Sequence, residues 1–279
     1  MIKMTLQSKV DFAVIFTVKN ANPNGDPLGG NRPRTTSDGL GEVSDVCLKR
    51  KIRNRLQEMG NSIFVQSDEN NVDGKKSLSD RFNSYLSSLP KDEQKCKDTV
   101  ASKVCENWID VRSFGQVFAF KKGKDTAEVS LGIRGPVTIQ SAFSIEPITI
   151  ESIQITKSVN SETTNDGKKS SDTMGMKHRV NEAVYVTYGS ISPQLAEKTG
   201  FSDEDATKIK EALITLFEGD ESSARPSGSI NIEKVIWFSH GAKLGQYSSA
   251  KVHKSVQVDN EGNVTIIPLD GLVPEVVEG

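Results

Sequence analysis

Residues 10–19 (VDFAVIFTVK) form a run of β-branched and aromatic residues that is apolar at most positions. Such a run is typical of a strand inside a sheet, where these side chains pack well. The sequence therefore predicts a strand that is buried for most of its length.

A polar loop and a basic helix are predicted to follow this strand. Residues 20–42 are crowded with Asn, Gly and Pro, which favour turns. Ser44 is a good helix N-cap, Asp45 suits the first helical turn, and Gly60 can end the helix. The apolar residues at helical spacing, which should face the core, are Leu48, Ile52, Leu56 and Met59.

The remaining elements predict an α+β fold. Residues 61–107 are polar with scattered apolar anchors, which indicates an insertion of short helices. A second helix is expected over residues 203–217, with Ser202 as its cap and Asp205 as the acid of a capping box. Extended segments are expected over residues 111–120, 132–145, 148–159, 179–188 and 230–238, the last of these being the final strand of the core. The order strand, helix, strands, helix, strand is the split βαβ pattern of ferredoxin-like and RRM-like domains.

Charge is segregated along the chain although the net charge of its 279 residues is only −2. Residues 31–55 carry seven Lys or Arg against three acids, whereas residues 202–221 carry seven acids against two Lys. Residues 259–279 contain five acids and no Lys or Arg. Such a chain can bind a polyanion on one face, although ordinary surfaces also segregate charge.

The loop over residues 20–34 (NANPNGDPLGGNRPR) has the composition of a phosphate-binding segment. Asn and Gly allow sharp turns that present amide N–H groups outward, and Arg32, Arg34 and the helix N-terminus at Ser44 could add to them. No Gly-Lys-Ser/Thr closes a P-loop, and the Gly-x-Gly at residues 39–41 lacks the third glycine of a dinucleotide site. A purely structural loop remains the alternative.

Five bases occur within seven residues of the first predicted helix, at Lys49, Arg50, Lys51, Arg53 and Arg55. Lys49 and Arg53 are four residues apart and share a face, where like charges cost a few tenths of a kcal/mol unless an anion lies between them. This favours a polyanion partner, and the alternative is a solvated helix face.

Residues 160–177 form an almost wholly polar arm between two predicted strands. Lys168 and Lys169 lie near its tip, and Met174 and Met176 lie on its return. A long polar loop in a compact domain is uncommon, and is usually functional or disordered. The arm is predicted to project as a hairpin that reaches a neighbour or a nucleic acid, with disorder as the alternative.

Residues suited to catalysis are sparse. His178, His240 and His253 have no metal-ligand spacing, and the three cysteines are irregularly spaced. Asp26 and Asp38 are the only acids for which a hydrolytic role in the Gly-rich loop could be proposed, and loop acids more often cap turns. No catalytic residue, metal or cofactor is therefore expected. No run approaches the roughly 20 apolar residues of a membrane span, and a reducing cytoplasm fits the cysteines best.

Three motifs together resemble the repeated backbone subunit of the type I CRISPR Cascade complex, in the RAMP superfamily and closest to subtypes I-C and I-B. The first is Asn-Pro-Asn-Gly-Asp-Pro at residues 22–27, with Arg-Pro-Arg at 32–34 and Lys-Arg-Lys-Ile-Arg at 49–53. The second is DVRSFGQVF at residues 110–118. The third is IRGPVT at residues 133–138, with MKHR at 176–179. The resemblance covers nearly the whole chain.

The resemblance implies a single domain with an RRM-like palm at residues 1–60 and 108–258. A finger insertion at 61–107, a β-hairpin thumb at 153–188 and an acidic C-terminal segment at 259–279 complete it. Such a subunit polymerises along a CRISPR RNA without cutting it and presents the spacer for pairing with target DNA in antiviral defence. The implied partners are the CRISPR RNA, the target strand through the guide, neighbouring copies, and the large, small and repeat-handle-binding subunits, with no membrane.

The residues and the resemblance together predict an RNA-binding set. Residues 112–120 match an RRM stacking motif only in part, so stacking of bases on the sheet is doubtful. Relatives in type III complexes cleave RNA with a loop aspartate, so a metal-dependent RNase is the alternative function, and a monomeric RNA-binding protein is a third. The predicted RNA-binding residues are Asn22, Asn24, Gly25, Arg32, Arg34, Lys49, Arg50, Arg53, Arg112, Phe114, Lys168, Lys169, His178 and Arg179.

Overall fold

The structure, a computed structural model, describes residues 4–120, 129–158 and 174–279. It is a mixed α/β fold built around a large antiparallel sheet, as the sequence predicted at this level. The strands are β1 (Val10–Ala21), β2 (Gly25–Asp26), β3 (Arg32–Pro33), β4 (Leu40–Val43), β5 (Gly115–Phe120), β6 (Val129–Arg134), β7 (Val137–Ile139), β8 (Ala142–Pro147), β9 (Ile150–Thr156), β10 (Met174–Ile191), β11 (Ile230–Ser239), β12 (Val256–Val258), β13 (Val264–Ile266) and β14 (Glu275–Glu278).

The helices cover the two faces of this sheet and form a separate group beside it. The helices are α1 (Asp45–Glu58), α2 (Leu78–Ser88), α3 (Lys97–Asn107), α4 (Ile109–Phe114), α5 (Pro193–Thr199), α6 (Asp203–Ile214) and α7 (Ser249–Ser255). In the described part of the chain, no helix is long and apolar enough to cross a membrane.

Strand β1 lies at the centre of the main sheet, between β10 and β11, as its apolar run predicted. The sheet follows the order β14-β11-β1-β10-β8-β4, and β7 and β9 pair with other parts of the long strand β10. Side chains of a strand alternate between the two faces. Phe12, Val14 and Phe16 therefore enter one core, while Ala13 and Ile15 enter another on the opposite face.

Helices α1 and α6 cover the first face of the sheet with the apolar stripes that the sequence predicted. Ser44 caps α1, because its Oγ accepts a hydrogen bond from the Cys47 amide at 3.3 Å. Ser202 and Asp205 form the predicted capping box of α6. This helix ends at Ile214, three residues before the predicted boundary.

The second face of the sheet is covered by α7, by the β12–β13 hairpin and by the segment that follows the hairpin. Val252, Val256 and Leu272 are buried there, in one core with Ile15 and Phe238. The sequence did not predict this cover. It also did not predict β14, which pairs with β11 and extends the sheet beyond its expected last strand.

A smaller core lies beside the main sheet, where α2, α3, α4 and the β5–β6 hairpin pack together. Short helices were predicted in this region and are present. Its buried aromatic residues contact one another, with ring centroids 4.7–5.1 Å apart, and they are Phe64, Phe82, Trp108 and Phe118.

The prediction of an extended segment over residues 111–120 is wrong in its first four residues, which belong to helix α4. The helix is stabilised by a long-range contact that local sequence does not show. Asp110 is buried, and its carboxylate accepts hydrogen bonds from the amides of Phe64 and Val65 at 2.8 and 3.0 Å. Gly115, with φ of 77°, then ends the helix and begins β5.

Candidate nucleic-acid interface

A cleft of about 380 Å³ lies between the loop after β1, the β9–β10 pair and the residues that precede β11. We call it the loop cleft. It combines amide, cationic and apolar side chains from three separate parts of the chain. Its lining residues are Asn22, Asn31, Ile155, Met176, Lys177, His178, Ser223 and Ala224.

The loop after β1 folds back on itself through the short pair β2–β3. Asp26 forms its turn, since Oδ1 accepts the Leu28 amide at 3.2 Å and lies 3.5 Å from Arg34 Nη2. Gly25 is needed in β2 because a Cβ at this position would lie 2.0 Å from Asn31 Oδ1. The Asn-Gly-Asp of the first motif therefore has a structural reason.

Asn24 fastens this loop to the start of α1. Its Oδ1 accepts hydrogen bonds from both the amide and the hydroxyl of Ser44 at 3.0 Å. Its carbonyl accepts the Arg34 amide, also at 3.0 Å. Asn24 thus fixes the position of the loop relative to the helix and to Arg34.

Several amide groups that were expected to face a phosphate are used inside the protein instead. The main-chain N–H of Asn22 donates to Ala224 O at 2.9 Å, and the main-chain N–H of Asn31 donates to Asp26 O at 2.8 Å. At the start of α1, the Asp45 amide donates to Ser141 Oγ at 3.3 Å. The capacity of this region to hold phosphate therefore depends mainly on side chains.

Arg32 and Arg34 supply two of those side chains. Arg32 is exposed and has no ion-pair partner among the described residues. Arg34 is half-buried, and its Nε has no hydrogen-bond partner among them. Arg32 therefore keeps donors that an anion could use, whereas the unpartnered Nε of Arg34 is buried.

The β9–β10 pair brings a second group of basic side chains to the cleft. Lys177 and His178 line it, and His178 Nδ1 lies 2.8 Å from Ser152 Oγ. Arg179 is held by Glu151 at 2.7 Å. The strands on either side of the polar arm do pair antiparallel, from Met174 opposite Thr156 to Val180 opposite Ile150. Lys168 and Lys169 lie outside the described residues.

The bases of α1 have anionic partners within the protein, so their spacing alone does not require an external anion. Each has an acid of the same chain beside it, and most of these acids are distant in sequence. The pairs are Lys49 with Asp45 at 2.9 Å, Arg50 with Glu69 at 3.8 Å, Lys51 with Asp220, Arg53 with Asp110 at 3.2 Å, and Arg55 with Glu218 at 2.8 Å.

Arg53, Arg112 and Phe114 meet around α4 rather than at the loop cleft. The Arg53 guanidinium lies over the Phe114 ring, 5.1 Å from its centroid. Arg112 forms a two-point ion pair with the buried Asp205, at 2.8 and 2.9 Å. These three predicted RNA-binding residues join α1, α4 and α6 to one another, and none of them lines the cleft.

Lys51 is buried and connects α1 to the wall of the cleft. Burial lowers the pKa of its ammonium, and the nearby Asp220 carboxylate opposes this effect. Asp220 also pairs with Arg225 at 2.7 Å. The Lys51 pair holds the segment that carries Ser223 and Ala224 against α1, and the main-chain N–H of Asn22, which donates to Ala224 O, joins that segment to the loop after β1.

The central strands of the sheet offer no surface on which bases could stack. One face is covered by α1 and α6, and the other by α7 and the β12–β13 hairpin. An RRM binds bases on an open sheet face. The covered faces agree with the partial match of residues 112–120 to a stacking motif. The loop cleft, which lies at the end of β1, is therefore the candidate site.

The fold and the cleft define a class of mixed α/β protein, with a covered antiparallel sheet and, at the end of its central strand, a cleft lined by amide, basic and apolar side chains. The model of one family, described as CRISPR-associated protein Cas7, matches residues 8–268. The chain belongs to this family, which confirms the resemblance seen in the three motifs. A curated Cas7 protein of Haloferax volcanii is 22% identical over 287 aligned residues, which cover 99% of this chain and 82% of that protein.

Two solved structures are also similar to this chain. A chain of a "CRISPR RNA-guided surveillance complex, pre-nicking" is 15% identical, with a TM-score of 0.47, and 82% of this chain and 78% of that chain are covered. A chain of a "CRISPR RNA-guided surveillance complex" is 18% identical, with a TM-score of 0.45 and coverage of 82% and 68%.

Sequence reasoning placed Asn22 and His178 in the site, and the structure brings both to the cleft. It missed the other six lining residues, which are Asn31, Ile155, Met176, Lys177, Ser223 and Ala224. Lys177 lies inside the third motif, so its position next to His178 was an available signal. Ser223 and Ala224 gave none, because their segment is placed by contacts between residues far apart in sequence, the main-chain N–H of Asn22 with Ala224 O and Lys51 with Asp220.

Proposed function

We propose that this chain is a non-catalytic backbone subunit of a type I Cascade complex that binds CRISPR RNA along the loop cleft. Membership of the Cas7 family supports this function. The observation that carries the position of the site is the cleft itself, where the loop after β1 and strand β10 meet. Lys177 and His178, which line the cleft, would hold the RNA backbone there, and Arg32 and Arg34 of the adjoining loop would hold it beside the cleft.

The strand order supports an RRM-like palm. Strands β11, β1, β10 and β8 are neighbours in that order, and α1 and α6 lie on one face. A ferredoxin-like domain places its fourth, first, third and second strands in the same way. The group with the smaller core would be the finger, and the β9–β10 pair with its arm would be the thumb.

In such an assembly the guide, rather than the protein, reads the target sequence. Neighbouring copies of the subunit would bind along one RNA irrespective of its bases. They would assemble with the large, small and repeat-handle-binding subunits in the cytoplasm. Cationic side chains at the cleft suit this task because phosphate contacts position RNA without selecting sequence.

The site is tested by Arg32→Ala combined with Lys177→Ala in the full chain. We expect weaker binding to RNAs of unrelated sequence by a similar factor, and a salt slope reduced by roughly 0.7 for each lost phosphate contact. Lys254→Ala, which removes an exposed base from α7 on the far side of the sheet, is the matched control and should bind as the wild type does. A loss confined to one RNA sequence would contradict backbone recognition.

The alternative RNase function is tested separately. Asp26 already forms a turn and faces Arg34, which gives it a structural role. Incubation of the assembled complex with complementary RNA and Mg²⁺ should leave that RNA intact. Cleavage that Asp26→Ala or Asp38→Ala abolishes would establish an RNase instead. Native mass spectrometry tests the third possible function, that of a monomeric RNA-binding protein. A lone chain without RNA would contradict the proposed assembly.

A further inference from the structure

Asn22 has an unused hydrogen-bond acceptor at the wall of the loop cleft. The residue is only 3% exposed, and its Oδ1 is buried without a donor among the described residues. Asn22 is one of the residues that line the cleft, together with Lys177 and His178. A buried acceptor without a partner is unfavourable, so a ligand that brings a donor gains free energy from this contact.

The orientation of the Asn22 amide is fixed by its other contact. Its Nδ2 donates to the main-chain carbonyl of Asn31 at 2.7 Å. A carbonyl oxygen can only accept, so the nitrogen must face Asn31 and Oδ1 must point away from it. The unpartnered atom is therefore an acceptor, and it calls for an O–H or N–H group.

We infer that Asn22 recognises ribose, with its Oδ1 accepting a hydrogen bond from a 2′-hydroxyl of RNA bound in the loop cleft. This inference rests on the proposed function. An amino group on a base edge would also be a donor, but it is present on only some bases, and a guide-binding subunit must accept any sequence. The 2′-hydroxyl occurs on every ribonucleotide and is absent from DNA.

The neighbouring side chains suit a nucleotide in this position. Lys177 and His178 line the same cleft and can hold the phosphate that adjoins the ribose. Oδ1 lies beneath the surface, so a hydroxyl reaches it after a local side-chain adjustment, which is common when partners bind. Asn22 would thus let the subunit select RNA over DNA without reading bases.

The test compares two RNAs of unrelated sequence with their fully 2′-fluoro counterparts, since fluorine keeps an RNA-like sugar but cannot donate. The wild-type chain should bind the 2′-fluoro strands about three- to tenfold more weakly for each such contact. Asn22→Ala should bind RNA more weakly and show little further loss with fluorine. Asn22→Gln, which keeps an amide but displaces its oxygen, should behave in the same way.

Asn24→Ala is the matched control, because it loosens the same loop without removing Oδ1 of Asn22. It should keep the full wild-type ratio between RNA and 2′-fluoro RNA, whatever its absolute affinity. The inference is overturned if either Asn22 variant, shown to be folded by its thermal transition, keeps that ratio, or if the ratio changes with the base sequence. Failure of the wild-type chain to bind unmodified RNA would overturn the proposed function itself.

Discussion

Arg112 Nη2 lies 2.8 Å from Asp205 Oδ1, and Arg112 Nε lies 2.9 Å from Asp205 Oδ2. The carboxylate is 1% exposed, and it also accepts the Ser202 amide at the start of α6. This two-point ion pair joins α4 to the cap of α6. A residue that the sequence assigned to RNA binding thereby has a clear role in holding two helices together.

Arg112→Ala should lower the free energy of unfolding by about 3–5 kcal/mol, because it removes the two-point ion pair of a buried carboxylate. Urea denaturation followed by circular dichroism measures this change. Lys49→Ala is the control, since it breaks a partly exposed i,i+4 pair within α1 and should cost less than about 1 kcal/mol. If the Arg112→Ala chain is as stable as the wild type but has lost RNA binding, Arg112 belongs to the RNA interface and does not hold the two helices together.

A second prediction concerns the contact between two of the family motifs. A Cβ on Gly135 would lie 2.2 Å from the Ser113 carbonyl oxygen and 2.5 Å from the Gly115 nitrogen. Both neighbours are main-chain atoms and cannot move away as a flexible side chain could. Gly135→Ala should therefore destabilise the chain by about 3 kcal/mol, the upper end of the usual cost of overpacking.

Gly132→Ala is the matched control for Gly135, because a Cβ at Gly132 has no atom within 4 Å. It lies three residues away in β6, and its thermal midpoint should stay close to that of the wild type. Equal midpoints for the two variants would show that the motifs are not held together by this close approach.

The elements that local sequence determines were predicted well. The caps at Ser44 and Ser202 are visible in the sequence because capping depends on residues three positions apart. Strand β1 was visible because its side chains are buried on both faces. Helix α4 was missed because its stability depends on Asp110, whose partners at Phe64 and Val65 are more than 40 residues away.

The candidate site was predicted only in part, for a related reason. The density of bases on α1 is a local feature, but the acids that neutralise Lys51 and Arg53 lie at Asp220 and Asp110. The spacing of the bases along α1 does not reveal which acids pair with them. By contrast, Asn22 could be selected from the sequence, since the loop that contains it directly follows the central strand and turns beside it.

The buried Lys51 predicts a dependence of stability on alkaline pH. Its folded pKa is lowered from the ordinary 10.5, chiefly by burial. Between the two pKa values the unfolded chain binds more protons than the folded chain, so stability attributable to Lys51 rises with pH in this window. The free energy of unfolding of the wild type, relative to Lys51→Met, should increase as pH approaches 10.5. A constant difference from pH 8 upward would contradict a lowered pKa.

The partly buried His253 predicts a dependence of stability on acidic pH. It fastens α7 to the sheet, with Nε2 3.1 Å from Gly189 O and its ring stacked on Tyr188. Burial lowers the pKa of this imidazole from 6.5, while Gly189 O and Asp11 act against that change and Lys9 adds to it.

Acidification should therefore weaken the cover on the second face of the sheet. Below pH 6.5 the unfolded chain takes up a proton that the folded chain still excludes, so the contribution of His253 to stability is lost as pH falls through this window. The loss is at most about 1.4 kcal/mol per pH unit.

Urea denaturation at pH 7.5 and 5.5 should show that the wild type loses more stability than His253→Gln, which cannot titrate. Parallel losses in the two proteins would show that His253 does not set the acid sensitivity of this cover.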